Sequence, residues 1–213
     1  MLNFACQRCG ECCRRYFIIS LPEEMQKQAD FLKIPIGEFI ENRTQLFLQL
    51  FPSEYRTDKP LISSSLVPKK FLEKIEKSIG YMPEFFIALP MLVFKRKENG
   101  ECTFYESNSG CTIYSVRPVE CRLFPFISDK KVEDYSKLYP FCHGLKAKDG
   151  EKSYIDISHL HFRQVANYFG EVKEKGFISL WNKWPSSGVC LFTDQLLGDI
   201  SEKEFFESIG ELA

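Results

Sequence analysis

The sequence predicts an α-rich α+β fold, with an irregular, metal-nucleated centre, a small antiparallel hairpin and surrounding helices. Three observations predict it. Eight of the nine cysteines gather in two groups, at residues 6–13 and 102–142. Segments with helical apolar periodicity lie between and after those groups. One stretch, residues 86–105, joins β-forming residues to a turn signal.

The helices are read from their starts and stripes. Ser20-Leu21-Pro22-Glu23 has capping-box spacing with a proline where a first turn accepts one, and Leu21, Met25, Ala29 and Leu32 continue as an apolar stripe. A second helix is expected after Pro35, carrying Phe39, Ile40, Leu46, Phe47 and Leu50. Residues 52–68, with Pro52, Pro60, Pro68 and three serines, read as a loop, and Val67 to Ile79 as a further helix. Phe86 to Lys97, the turn Glu98-Asn99-Gly100 and Cys102 to Tyr105 form the expected hairpin, with Pro90 at an edge or bulge. Arg117 to Arg122 reads as a short helical turn ended by Pro125. His159 to Lys175 is periodic, with Gly176 as its C-cap, and Ser201-Glu202-Lys203-Glu204 opens a last helix with Phe205, Phe206 and Ile209. The expected division is a cysteine-cluster domain over 1–150, with a helical insertion at about 20–85, and a helical extension over 151–213 packed on it.

Composition narrows the function classes. The 213 residues are 44% hydrophobic and carry a formal charge of −1. No basic stripe suits a phosphate backbone, so nucleic acid is not an expected partner. No apolar run approaches the ~20 residues of a bilayer span, and Met1 to Cys6 lacks the features of a signal peptide, so a cytoplasmic location is expected. In a reducing compartment, closely spaced cysteines bind metal or do redox chemistry more often than they form disulfides.

Cys6, Cys9, Cys12 and Cys13 carry the strongest signal. A C-x2-C turn aims two sulfurs at one cation, and three cysteines at C-x2-C-x2-C also begin the bacterial ferredoxin run. Adjacent side chains diverge, so Cys12 and Cys13 fit two neighbouring sites or a cluster with several metal corners. The downstream group, Cys102, Cys111, Cys121 and Cys142, is weak by spacing alone, but Gly100, Gly110 and Gly144 lie close to it, as Gly10 does to the first group. The two groups are expected to converge on one region. Cys190, between Val189 and Leu191, reads as buried and inert.

Five of nine arginines (Arg8, Arg14, Arg15, Arg117, Arg122) lie within five residues of a clustered cysteine, against three of nineteen lysines. Guanidinium groups suit the neutralisation of thiolate charge at a partly buried site. Other chemistry has little support: there is no GxGxxG, P-loop or HExxH. His143, next to Cys142, reads as solvent-facing or structural. His159 and His161 face different ways on a helix, and Trp181 and Trp184 read as core.

Cys6-Gln7-Arg8-Cys9-Gly10-Glu11-Cys12-Cys13-Arg14 resembles the signature of the YkgJ-like cysteine-cluster family, the CxxCxxCC zinc- or iron-chelating domain. Gly110 to Tyr114, Arg117 to Phe126 and Cys142-His143-Gly144 extend the resemblance in order over roughly residues 4–145. The resemblance implies a metal site on Cys6, Cys9, Cys12, Cys13, Cys102, Cys111, Cys121 and Cys142, and supplies no reaction and no catalytic residue. The ferredoxin-like start and all-thiolate set favour an iron-sulfur cluster, possibly [4Fe-4S]. The C-x2-C turns and the match of eight thiolates to two tetrahedral sites speak for Zn2+. Two roles stay open: a metal-stabilised accessory protein that binds a partner protein, and an iron-sulfur redox enzyme acting on an unknown substrate.

Overall fold

A computed structural model describes residues 4–54, 61–126, 135–146, 163–168, 170–171, 174, 187–191, 195–201 and 203–204. In chain order the elements are α1 (Glu11–Arg15), α2 (Pro22–Leu32), α3 (Ile36–Arg43), β1 (Thr44–Ser53), β2 (Leu61–Ser63), α4 (Lys69–Ile79), β3 (Phe85–Phe94), β4 (Tyr105–Glu106), β5 (Gly110–Cys111), α5 (Val119–Leu123), α6 (Tyr135–Leu138), β6 (Ser187–Leu191) and β7 (Gln195–Ile200). The chain falls into two compact units that interleave in sequence. Unit 1 takes residues 1–39 and 94–165, and unit 2 takes 40–93 and 166–213.

Unit 1 is helical and irregular, and its packing is aromatic. Phe4, Phe126, Tyr135, Tyr139 and Cys142 form one buried cluster, with Tyr16, Phe124 and Phe141 packed against it. The rings meet mainly edge to face, as at Phe4–Phe126 (centroids 5.2 Å apart) and Phe124–Tyr139 (5.0 Å). A second group, Phe39, Phe94 and Phe104, packs at 4.8–6.4 Å.

Helix α2 buries Met25, Gln28 and Ala29 on one face, as the stripe predicts. Its start lies one residue later than the capping-box reading placed it. Leu21 is the N-cap, and Glu24 rather than Glu23 reaches back to the Leu21 N–H at 3.2 Å. Ser20 does not cap the helix because its hydroxyl donates to Gln28 Oε1 at 3.0 Å. Glu24 also accepts the Val119 N–H at 2.6 Å, and Glu120 accepts the Ile19 N–H at 2.6 Å. These two buried carboxylates stitch segment 19–24 to α5 in both directions, which fixes the neighbour of Glu120, Cys121. Burial raises both carboxyls. Glu120 reaches about 8, with the Ile19 N–H opposing the rise and Glu24 adding to it. Glu24 is raised as well, against the pull of its two backbone donors.

Unit 2 holds a five-stranded mixed sheet in the order β2-β3-β1-β6-β7. This corrects the α-rich reading. Leu46, Phe47 and Leu50 belong to β1 and not to the preceding helix, which ends at Arg43. Strand β1 is central and buried on both faces from Leu46 to Leu50, Gln49 included, so it lacks the alternation that marks a half-exposed strand. The insertion over 20–85 is therefore not wholly helical, and the tail contains strands as well. In β6, which pairs parallel to β1, Gly188 faces Phe47, where a Cβ would stand 2.8 Å from the ring. Glycine is the residue that lets that ring lie against the strand. Cys190 is fully buried in β6 beside Gln49. Helix α4 buries Phe71 and Ile75, ends on left-handed Gly80, and its Lys74 Nζ donates to the Leu197 carbonyl of β7.

The expected hairpin is also corrected. Strand β3 pairs with β2, which forms inside the segment read as a loop, while Arg96 and Cys102 share only an isolated bridge. The turn at Gly100 does form, with its N–H on the Lys97 carbonyl. The small antiparallel pair is β4–β5 instead. Partner β2 covers only Phe85 to Ile87, so Pro90 lies past that pairing, where a missing N–H is tolerated. Ser201 and Glu204 make the reciprocal capping bonds expected of them. His159, His161, Gly176, Trp181, Trp184, Phe205, Phe206 and Ile209 lie outside the described residues. No helix among the described residues is long and apolar enough to cross a membrane.

Two outcomes follow from the carboxylate stitch. Glu24→Ala leaves two buried N–H groups unsatisfied and is expected to cost about 1–3 kcal/mol, read from the urea midpoint at unchanged m. The raised carboxyl of Glu120 stabilises the fold below the ordinary carboxyl range, and that contribution is lost as pH rises from 4.5 towards about 8. Chelated, reduced Glu120→Gln is therefore expected to show a flatter decline of stability than wild type over that interval.

Candidate metal centre

The N-terminal cysteines are held by their backbone. Arg8 and Gly10 both take left-handed conformations (φ 52° and 77°), which curl the chain between Cys6 and the helix α1 that carries Cys12 and Cys13. A side chain at Gly10 would strike the Tyr105 ring at 2.2 Å. The Tyr105 hydroxyl donates to the Cys9 carbonyl at 3.1 Å, and Arg14 Nη1 donates to the same oxygen at 3.2 Å. Arg14 is itself held by Glu101 and Glu11, and Arg15 by Glu11.

Backbone bonds then tie this tip to the downstream group. The Cys102 N–H donates to the Cys13 carbonyl at 2.9 Å, and the Ala5 N–H to the Gly144 carbonyl at 3.1 Å. At Gly144 a Cβ would sit 2.6 Å from the Ala5 carbonyl oxygen, so the two segments approach more closely than any side chain permits. Cys111 lies in β5 opposite Tyr105, Cys121 sits within α5, and Cys142 follows α6 with its N–H on the Tyr139 carbonyl.

The outcome is one cleft in unit 1. Cys6, Cys9, Cys12, Cys13, Cys111, Cys121 and Cys142 line it. Cys102 is buried and is not among the lining residues, although its thiol feels Cys111 and Cys12. All eight clustered cysteines are free thiols. The cleft encloses about 80 Å3, and since one water needs roughly 10–15 Å3 of such space there is room for more than a lone ion. Exposed His143 is not a lining residue.

Crowding sets the electrostatics. Cys12 is held well above its ordinary value, first by its hydrogen bond with Cys13, whose sulfur is 4.0 Å away, then by burial and by Cys13 and Cys6. Burial pushes Cys102 up to about 11 and raises Cys111, Cys121 and Cys142, with neighbouring thiols adding to the rise in each case. Arg117 pulls Cys111 the other way. Thiols that resist ionisation in a metal-free cleft become thiolates when a cation displaces their protons.

The donor set suits a thiophilic metal. The sulfurs do not, as they stand, form a closed shell: among the described residues no three His, Cys, Asp or Glu donors make a ready group around one ion. A second observation fits a charged centre. Arg117 Nε and Nη1 and Arg122 Nε are buried without a hydrogen-bond partner, and both residues line the cleft.

Two further lining residues, Tyr105 and Tyr114, escaped sequence reading. Tyr105 reads as part of a strand, and nothing local shows its hydroxyl reaching Cys9. Tyr114 takes a guanidinium within 4.0 Å of its ring centroid from both Arg8 and Arg117. At such distances the two cations must occupy opposite faces of the ring.

One comparison with known proteins gave a match. The family called CxxCxxCC, described as a "putative zinc- or iron-chelating domain", matches residues 5–143. Neither curated proteins nor solved structures gave a match. The matched span runs from just before Cys6 to just after Cys142, and the chain belongs to this family of zinc- or iron-chelating cysteine-cluster domains.

Proposed function

We propose that the cleft holds a polynuclear iron-sulfur centre on the thiolates of Cys6, Cys9, Cys12, Cys13, Cys102, Cys111, Cys121 and Cys142. In this reading the protein is an accessory, partner-binding protein and not a catalyst. The observation that carries the proposal is the meeting of seven of these eight cysteines, from both groups, in one cleft. One tetrahedral ion takes four ligands, so a larger all-sulfur set suits a centre with several metal corners. The adjacent Cys12 and Cys13 can then serve different corners. The same count also suits two four-cysteine zinc sites, which is the competing assignment.

The accessory role rests on what surrounds the sulfurs. Glu11, the one carboxylate lining the cleft among the described residues, is paired with Arg14 and Arg15. Among the described residues no histidine lines it. Neither a histidine nor an unpaired carboxylate is therefore supplied beside the thiolates among the described residues. The iron-sulfur redox enzyme remains the alternative, since one-electron chemistry needs no such group.

Anaerobic purification followed by metal and sulfide analysis tests the centre. Iron with acid-labile sulfide, in a brown protein with broad sulfur-to-iron absorption, is the expected outcome. Stoichiometric zinc without sulfide in protein never exposed to air would replace it with the zinc assignment. Cys9→Ser and Cys121→Ser are expected to lower both metal content and melting temperature, because metal binding free energy is also folding free energy. The linked stability at stake is about 2.7 kcal/mol when free metal stands 100-fold above its dissociation constant. Cys190→Ser, in the core of unit 2, is expected to keep its metal. A Cys9 variant with unchanged metal and stability would show the ligand assignment to be wrong.

A further inference from the structure

Buried ionised donors nearly always have acceptors, because an unpartnered one keeps the full cost of leaving water. Arg117 and Arg122 depart from this rule beside the cysteines, with three buried N–H nitrogens between them that have no partner. Among the described residues neither makes a direct ion pair with a carboxylate, although Arg122 acts on Glu24 through space, whereas Arg14 is paired with Glu11 and Glu101 and Arg15 with Glu11. Stacking of Arg117 on Tyr114, at 3.6 Å from the ring centroid, does not supply the missing acceptor. A cation-π contact uses the face of the guanidinium and leaves its in-plane N–H groups directed outward. The arrangement leaves Nε and Nη1 of Arg117 without an acceptor.

We propose that Arg117 and Arg122 are positioning residues for the metal centre, whose in-plane N–H groups donate to the cleft thiolates once metal has ionised them. This rests on the metal-centre reading above. The acceptors are sulfurs of the cleft and not an incoming anion, for a reason of charge. Four thiolates around one divalent ion leave a net charge of about −2, and more thiolates leave more. An external anion would be repelled where a guanidinium already fixed in the wall is attracted. Arg14 and Arg15 are excluded from the role because carboxylates hold them, so of the five arginines around the cysteines two compensate the centre, two brace the tip, and Arg8 stacks on Tyr114.

Metal affinity and metal-free stability separate this role from a structural one. Wild type, Arg117→Gln, Arg122→Gln and Arg117→Lys are each titrated anaerobically with Zn2+, as a thiophilic probe of the thiolate site, against a competing chelator, and the reduced, metal-free forms are melted in parallel. The two glutamine variants are expected to lose about 10–100-fold in metal affinity, while their metal-free melting temperatures stay level or rise because buried N–H groups without acceptors have gone. Arg117→Lys is expected to recover part of the affinity, since it keeps the charge and loses the fork. Affinities indistinguishable from wild type would overturn the proposal. So would metal-free forms destabilised alongside the affinity loss, or tight binding of inorganic phosphate to loaded wild type that Arg117→Gln abolishes. Wild type that takes up no metal would instead defeat the metal-centre reading itself.

Discussion

Thiols packed against one another in a half-buried cleft resist ionisation, and the rest of unit 1 is arranged around that constraint. The cleft gathers sulfurs from segments about a hundred residues apart, and at Cys12, Cys111, Cys121 and Cys142 burial and neighbouring thiols both oppose deprotonation. Only a cation can reverse the balance, because it exchanges protons for a far stronger charge interaction. The cleft is thus poorly suited to stay metal-free and well suited to release protons on loading.

What holds the sulfurs in place is mostly not the sulfurs. Single backbone bonds, from Cys102 to Cys13 and from Ala5 to Gly144, join the two groups. Glu24 and Glu120 position α5, and with it Cys121. The aromatic cluster around Cys142 supplies the apolar support that so short a set of helices could not provide alone. Helix α1 has five residues and α5 has five, lengths that are marginal without tertiary support.

The site was more legible in the sequence than the fold. Close spacing of Cys6 to Cys13 announces a shared cation because the chemistry is local, and the arginines beside the cysteines are visible for the same reason. The long connections are not. Nothing near Cys102 shows that its amide meets Cys13, and nothing near Tyr105 shows that its hydroxyl meets Cys9. Unit 2 was misread at β1 because a strand buried on both faces loses its period of two and borders a true helix. Gly188 became meaningful only once Phe47 was seen against it. Leu21 displaced Ser20 as the α2 cap because a distant residue, Gln28, engages the Ser20 hydroxyl.

The central claim is that the cleft cysteines ligate metal through sulfur alone. X-ray absorption at the metal edge of anaerobically purified protein tests it directly. The account predicts a sulfur-only first shell at about 2.3 Å, a distance characteristic of thiolate ligation, with metal–metal scattering beyond it. A shell containing nitrogen or oxygen ligands from the protein, or one that persists unchanged when Cys9 and Cys121 are both replaced by serine, would contradict it.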